Sequence, residues 1–116
     1  MTATVNIDAA ATSLLREARE ASSGRAGRTL QGDAHAPLKQ TLLGLRASQS
    51  LADHTAPGPA TVMVLQGSVL LRCGTEDRDL SAGDWAQIPR TTHSLHALDD
   101  AVVLLTVAAV AADAAS

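Results

Sequence analysis

The chain reads as an all-β domain, a barrel or sandwich of short strands with a short helix at its N-terminal end. Three observations lead there. From Leu38 onward, short apolar runs alternate with turn residues at the spacing of all-β folds. Helical periodicity is confined to one stretch near the N-terminus. A length of 116 residues suits one compact core and leaves little room for a second.

The helix is expected over residues 8–22, where Leu14, Leu15, Ala18 and Ala21 recur at helical spacing and Arg16, Glu17, Arg19 and Glu20 fill the other side. Ser22, Ser23 and Gly24 break it, and Gly27 and Gly32 bracket a short strand around 28–31. Further strands are expected at 38–47, 50–54, 60–66, 68–73, 77–80, 84–89, 92–98 and 101–108. The residues between them supply turn chemistry: Pro57-Gly58-Pro59, Gly67, Gly74, Ser81-Ala82-Gly83-Asp84 and Asp99-Asp100. The implied organisation is helix and lead-in strand over 1–34, barrel over 35–110 and a disordered tail over 111–116.

Trp85 is the sole aromatic residue, so the core must be built from Leu, Val, Ile and Ala, with Met63 and Trp85 read as packing residues. Strand alternation places Gln40 on one face with Leu38 and Leu42, a polar group directed at an apolar interior. It also puts His93, Leu95 and Ala97 on one face and Ser94 and His96 on the other. The run Val102-Val103-Leu104-Leu105 is apolar on both faces and needs cover on both sides, from the N-terminal helix or from the partner in a homodimer.

Net charge is −3 and the pI about 5.7, with no block of Lys or Arg, which disfavours nucleic acid and anionic membranes as partners. The N-terminus has neither a basic region nor a long apolar stretch, so a cytoplasmic protein is expected. Cys73 is the only cysteine, which excludes an intramolecular disulfide and a multi-cysteine zinc cluster. The apolar run from Ala101 to Ala112 is too short to span a bilayer. Nucleophile-elbow, phosphate-loop and zinc-protease motifs are all missing from the sequence.

Two segments carry a resemblance. The stretch from Leu51 to Val69 contains His54, Ala56, Ala60 and Gly67; the stretch from Gly83 to Ala97 contains Gly83-Asp84, Pro89 and His93. In this order they resemble the two motifs of the cupins: a His-x-His pair, a Glu and a hairpin Gly, then a Gly-Asp turn, a strand ending in Pro, and a His. The resemblance covers roughly residues 38–108 and implies a cupin-type double-stranded β-helix, or jelly-roll, barrel. It also implies a metal site of three His and one Glu for iron, manganese, nickel or zinc, with open positions for substrate.

This chain departs from that pattern at two ligands. His54 falls on the first His of the pair, but Ala56 stands at the second, and Ala60 stands seven positions before Gly67 in place of the Glu. No Glu occurs between Glu20 and Glu76, so no shifted alignment restores it. His93 follows Pro89 by four residues, one fewer than usual, and with His54 makes two of four metal ligands. His35, Gln40 and His96 are the candidates for a third.

The expected function is therefore a small cupin barrel that binds a small molecule through Gln40, His54 and His93. The alternatives are a metal-dependent enzyme of the dioxygenase or isomerase class that uses His54 and His93, and a dimeric interaction or sensory module. Arg90, just before His93, is a candidate guide for an anionic ligand.

Overall fold

A computed structural model describes residues 2–33, 35–54 and 58–109, with Asp53 and His54 described as backbone only. Helix α1 (Ile7–Glu20) comes first, followed by nine strands: β1 (Arg25–Gln31), β2 (Leu38–Leu45), β3 (Ser50–His54), β4 (Ala60–Gln66), β5 (Ser68–Cys73), β6 (Glu76–Ser81), β7 (Trp85–Ile88), β8 (His93–Ala97) and β9 (Ala101–Ala108). All strand pairs are antiparallel, in two sheets: five strands in the order β1-β2-β9-β4-β7 and four in the order β3-β8-β5-β6. The all-β expectation holds, and every expected strand after residue 37 forms within a few residues of its expected limits. The notional tail, 111–116, lies outside the described residues.

α1 starts where Asn6 accepts the amide hydrogen of Ala9 at its side-chain oxygen, 2.9 Å away, which satisfies one of the otherwise orphaned donors of the first turn. It stops before Ala21, whose backbone is extended, so Ala21 lies outside the helical stripe expected to end there. The buried stripe is Ala10, Ala11, Leu14, Leu15 and Ala18. It packs on Leu42 and Val102, with Ala26, Leu30, Leu65 and Leu104 around them, on the outer face of the five-stranded sheet. Gly44 makes that approach possible: a Cβ there would lie 3.0 Å from the backbone oxygen of Leu14.

The barrel interior is a second aliphatic cluster, which includes Leu45, Val62, Val64, Val69, Leu71, Leu80, Leu95 and Val103. Burying one such side chain stabilises by about 1.5–3 kcal/mol, against about 0–1 kcal/mol for an exposed ion pair such as Arg72–Asp77. The two aliphatic clusters therefore hold the fold. β9 belongs to both: Ala101 and Val103 face the barrel while Val102 faces α1. The second apolar face of β9 is thus covered within one chain, so it does not by itself call for a dimer partner.

Asp100, in the turn before β9, fastens three segments. One carboxylate oxygen accepts the Ala47 amide hydrogen at 2.8 Å, and the other accepts from Arg19 Nε at 2.6 Å. These bonds, the backbone one foremost, hold its pKa below the ordinary 3.8. Gly67, at the β4–β5 turn, has φ 74° and sits so close to the next turn that a Cβ would lie 2.1 Å from the Asp100 carbonyl oxygen.

Two outcomes follow for stability. Asp100→Asn is expected to destabilise the protein by about 1 kcal/mol in urea melts. Because its folded pKa is lowered, the contribution of Asp100 is fully present above the unfolded value and is lost as pH falls through the folded one. The difference between wild type and variant should therefore shrink as the solution is acidified below pH 3.8; a difference independent of pH would remove the carboxylate from this role. Gly67→Ala is expected to cost more than about 2 kcal/mol, since strain and a backbone clash act together. A neutral result in the same melts would contradict the turn geometry.

Candidate functional site

The register of the four-stranded sheet sets the candidate residues in one row. Across β3, β8, β5 and β6 the paired positions are His54, His93, Cys73 and Glu76. His93 shares its strand face with Leu95 and Ala97, both in the barrel core, and is 4% exposed. The expected inward orientation of His93 follows from that alternation. Its Nδ1 lies 3.1 Å from the Thr91 carbonyl oxygen, and a carbonyl only accepts, so Nδ1 carries the hydrogen. In the neutral ring Nε2 is then the nitrogen with the lone pair.

His54 reaches the row through its backbone pairing; its side chain, like Ala56, lies outside the described residues. Ala60 is described, and its methyl is buried in the barrel core, at the position the resemblance to the cupin motif gives to a Glu. Among the described residues no group of three or more His, Cys, Asp or Glu lies close enough to hold a metal ion. With Ala56 and Ala60 at two of the four positions, the residue types present do not match the cupin shell of three His and one Glu.

Gln40 does not join this row. It does share a face with Leu42, but that face is the outer one, against α1, because the neighbouring positions Leu43 and Leu45 point into the barrel. Its side chain bonds Gln31 at 2.7 Å and Thr106 at 3.2 Å across β1, β2 and β9. The reading of Gln40 as a residue of the barrel pocket is thereby corrected. Alternation gives the partition of faces, and only the position of the helix says which face is inside.

The other candidates for a third ligand also lie apart from His93. His96 is on the outer face of the four-stranded sheet, as alternation requires, held by Ser50 at 2.7 Å on Nδ1 and Ser94 at 3.0 Å on Nε2. His35 sits in the loop before β2, where its backbone amide donates to Asp33. Arg90 is exposed in the turn ahead of β8.

A cavity of about 390 Å³ opens where the edge strands β6 and β7 of the two sheets face each other. Its apolar lining is Leu71, Leu80, Ala86 and Pro89, and Cys73, Glu76, Arg78, Trp85 and Gln87 add polar and aromatic groups. Trp85 is 61% exposed along this edge, so the expectation that it packs in the core is corrected. The sequence does hold a signal for the site: Glu76, Arg78 and Leu80 alternate, so the core residue Leu80 marks the face that Arg78 shares. Burial, then the charges of Glu76 and Asp77, pushes the Cys73 thiol above its ordinary pKa of 9.0.

Cys73 is accordingly expected to alkylate with iodoacetamide more slowly than a free cysteine at neutral pH, and Glu76→Gln should speed the reaction. Rates followed by mass spectrometry against pH check this. A thiolate midpoint below 9.0 would show that the thiol is not shielded.

Comparison with known proteins agrees with this architecture. No family sequence profile and no curated protein sequence matches the chain. Solved structures do. A conserved protein of unknown function from Streptococcus pyogenes is similar at 26% identity and TM-score 0.72, over 79% of this chain and 80% of that one. A cupin superfamily protein from Desulfitobacterium hafniense is similar at 15% identity and TM-score 0.69, over 74% and 78%. A variant of salicylate 1,2-dioxygenase from Pseudoaminobacter salicylatoxidans is similar at 22% identity and TM-score 0.68, over 88% of this chain but 32% of that one. With two facing antiparallel sheets and these neighbours, the chain has the fold of a small cupin β-barrel.

Proposed function

We propose that this cupin domain binds a small molecule at the mouth of its barrel, between β6 and β7, beside the polar row that includes His54 and His93. The observation that carries the reading is the cavity. Its volume, about 390 Å³, and its apolar wall with a few polar groups match the composition of small-molecule sites. His93 stands one strand away from Cys73 of the lining. An imidazole nitrogen can donate or accept a hydrogen bond, which suits a residue of this row to orient a polar ligand.

Because Trp85 borders the cavity and is the only aromatic side chain, its fluorescence reports occupancy. A panel of small molecules is expected to contain compounds that shift the emission saturably. Ala86→Leu, which fills the cavity, should weaken them by about tenfold or more while circular dichroism stays unchanged. Elemental analysis of protein purified without chelator or affinity-tag metal is expected to give metal well below stoichiometric. Stoichiometric metal that disappears in both His54→Ala and His93→Ala would replace this reading with the metal-dependent one implied by the family resemblance. A panel without a single hit would leave the barrel as an interaction module.

A further inference from the structure

The mouth of the cavity carries one charge of each sign on a single strand face. Glu76, Arg78 and Leu80 alternate along β6, and all three line the cavity. Glu76 Oε1 accepts from Arg78 Nη2, and the two side chains are 59% and 66% exposed, so water reaches the pair. The pair uses one guanidinium nitrogen and one carboxylate oxygen. A guanidinium has five N–H donors and a carboxylate about four lone-pair sites, so both members retain capacity toward a ligand. Behind them stand Leu71, Leu80, Ala86 and Pro89, with the Trp85 indole along the edge.

Other charges of β6 lie on its opposite face. Asp77 belongs to the alternate set with Asp79, and it accepts from Arg72 Nε at 3.1 Å. The mouth itself is therefore balanced, with one guanidinium and one carboxylate in contact. A simple acid that reaches Arg78 also meets the carboxylate of Glu76, and a simple amine that reaches Glu76 also meets Arg78. Each gains one attraction and one repulsion. A molecule with both charges exchanges one exposed ion pair for two and leaves no charge uncompensated.

We propose that the cavity takes a zwitterion with an apolar body, of the chemical class of an apolar α-amino acid. Its carboxylate meets Arg78, its ammonium meets Glu76, and its side chain lies against Leu71, Leu80 and Ala86. The inference rests on the reading of this cavity as the ligand site and adds the class of ligand to it.

The test uses four probes with one phenyl body: phenylalanine, phenylpropanoate, phenethylamine and neutral benzyl alcohol. Each is titrated against Trp85 emission, with ligand-observed NMR as a second measurement. Phenylalanine is expected to bind at least about tenfold more tightly than any of the other three. In Glu76→Gln, phenylalanine should fall to the level of phenylpropanoate, and phenylpropanoate itself should improve as the like charge is removed. In Arg78→Met, phenylalanine should fall to the level of phenethylamine. Loss of folding would lower all four probes together, whereas this change in their ranking comes only from the charges. Phenylpropanoate or phenethylamine binding as tightly as phenylalanine overturns the proposal, as does a ranking that both variants leave unchanged. If benzyl alcohol binds and phenylalanine gains nothing over it, the charge argument falls while the ligand site stands. Silence of all four by both measurements defeats the inference, and the wider panel then decides the ligand site.

Discussion

Strand β9 is buried on both faces, and the rest of the molecule is arranged around that requirement. It pairs with β2 on one side and β4 on the other, so its backbone groups are satisfied within the five-stranded sheet. Ala101, Val102 and Val103 have no solvent exposure. One face needs a second sheet to close the barrel, and the other needs a helix. The helix can come close enough only because Gly44 puts no side chain under Leu14. With neither Phe nor Tyr in the chain, both interfaces are filled mainly by Leu, Val, Ile and Ala.

The two sheets are covered unequally, and the cavity lies between them at the β6 and β7 edges. α1 shields the outer face of the five-stranded sheet over β1, β2 and β9. The outer face of the four-stranded sheet is polar, with the Ser50–His96–Ser94 hydrogen bonds and the Arg72–Asp77 pair. β6 and β7 follow each other in sequence but pair with β5 and β4, not with each other. Their connecting turn is clipped to β4, where the Gly83 amide donates to the Val64 carbonyl at 2.8 Å and the Val64 amide to Asp84 at 2.9 Å. Away from that turn the two strands belong to different sheets, and the cavity lined by Arg78 and Trp85 lies between them.

The local rules that made the strands legible also partitioned the candidate residues correctly between faces. His93 goes with Leu95, His96 goes with Ser94, and Gln40 goes with Leu42, as alternation demands. What alternation lacks is an origin, since a period of two does not say which of the two faces is inside. For His93 the neighbours Leu95 and Ala97 supplied it. For Gln40 the neighbour Leu42 is as buried as any barrel residue, but under the helix, and the apolar surroundings pointed to the wrong compartment. Arg78 and Cys73 show the converse: alternation gives Arg78 the face of Leu80, but not its place beside a cavity. Only the pairing of β5 with β6 sets both residues beside the seam.

The sequence by itself determined the number and order of the strands, the turns at Gly67 and Gly83-Asp84, the aliphatic core, and the alanines at 56 and 60 where the cupin motif has a His and a Glu. These depend on neighbours within a few residues, on backbone preferences at glycine and on which side chains avoid water. Tertiary structure alone decided that His54, His93, Cys73 and Glu76 occupy one row, that Gln40 belongs to the helix side, and that a cavity opens between β6 and β7. Those facts are set by pairing register and sheet order. Both are fixed by contacts between residues far apart in the chain, which no local pattern encodes.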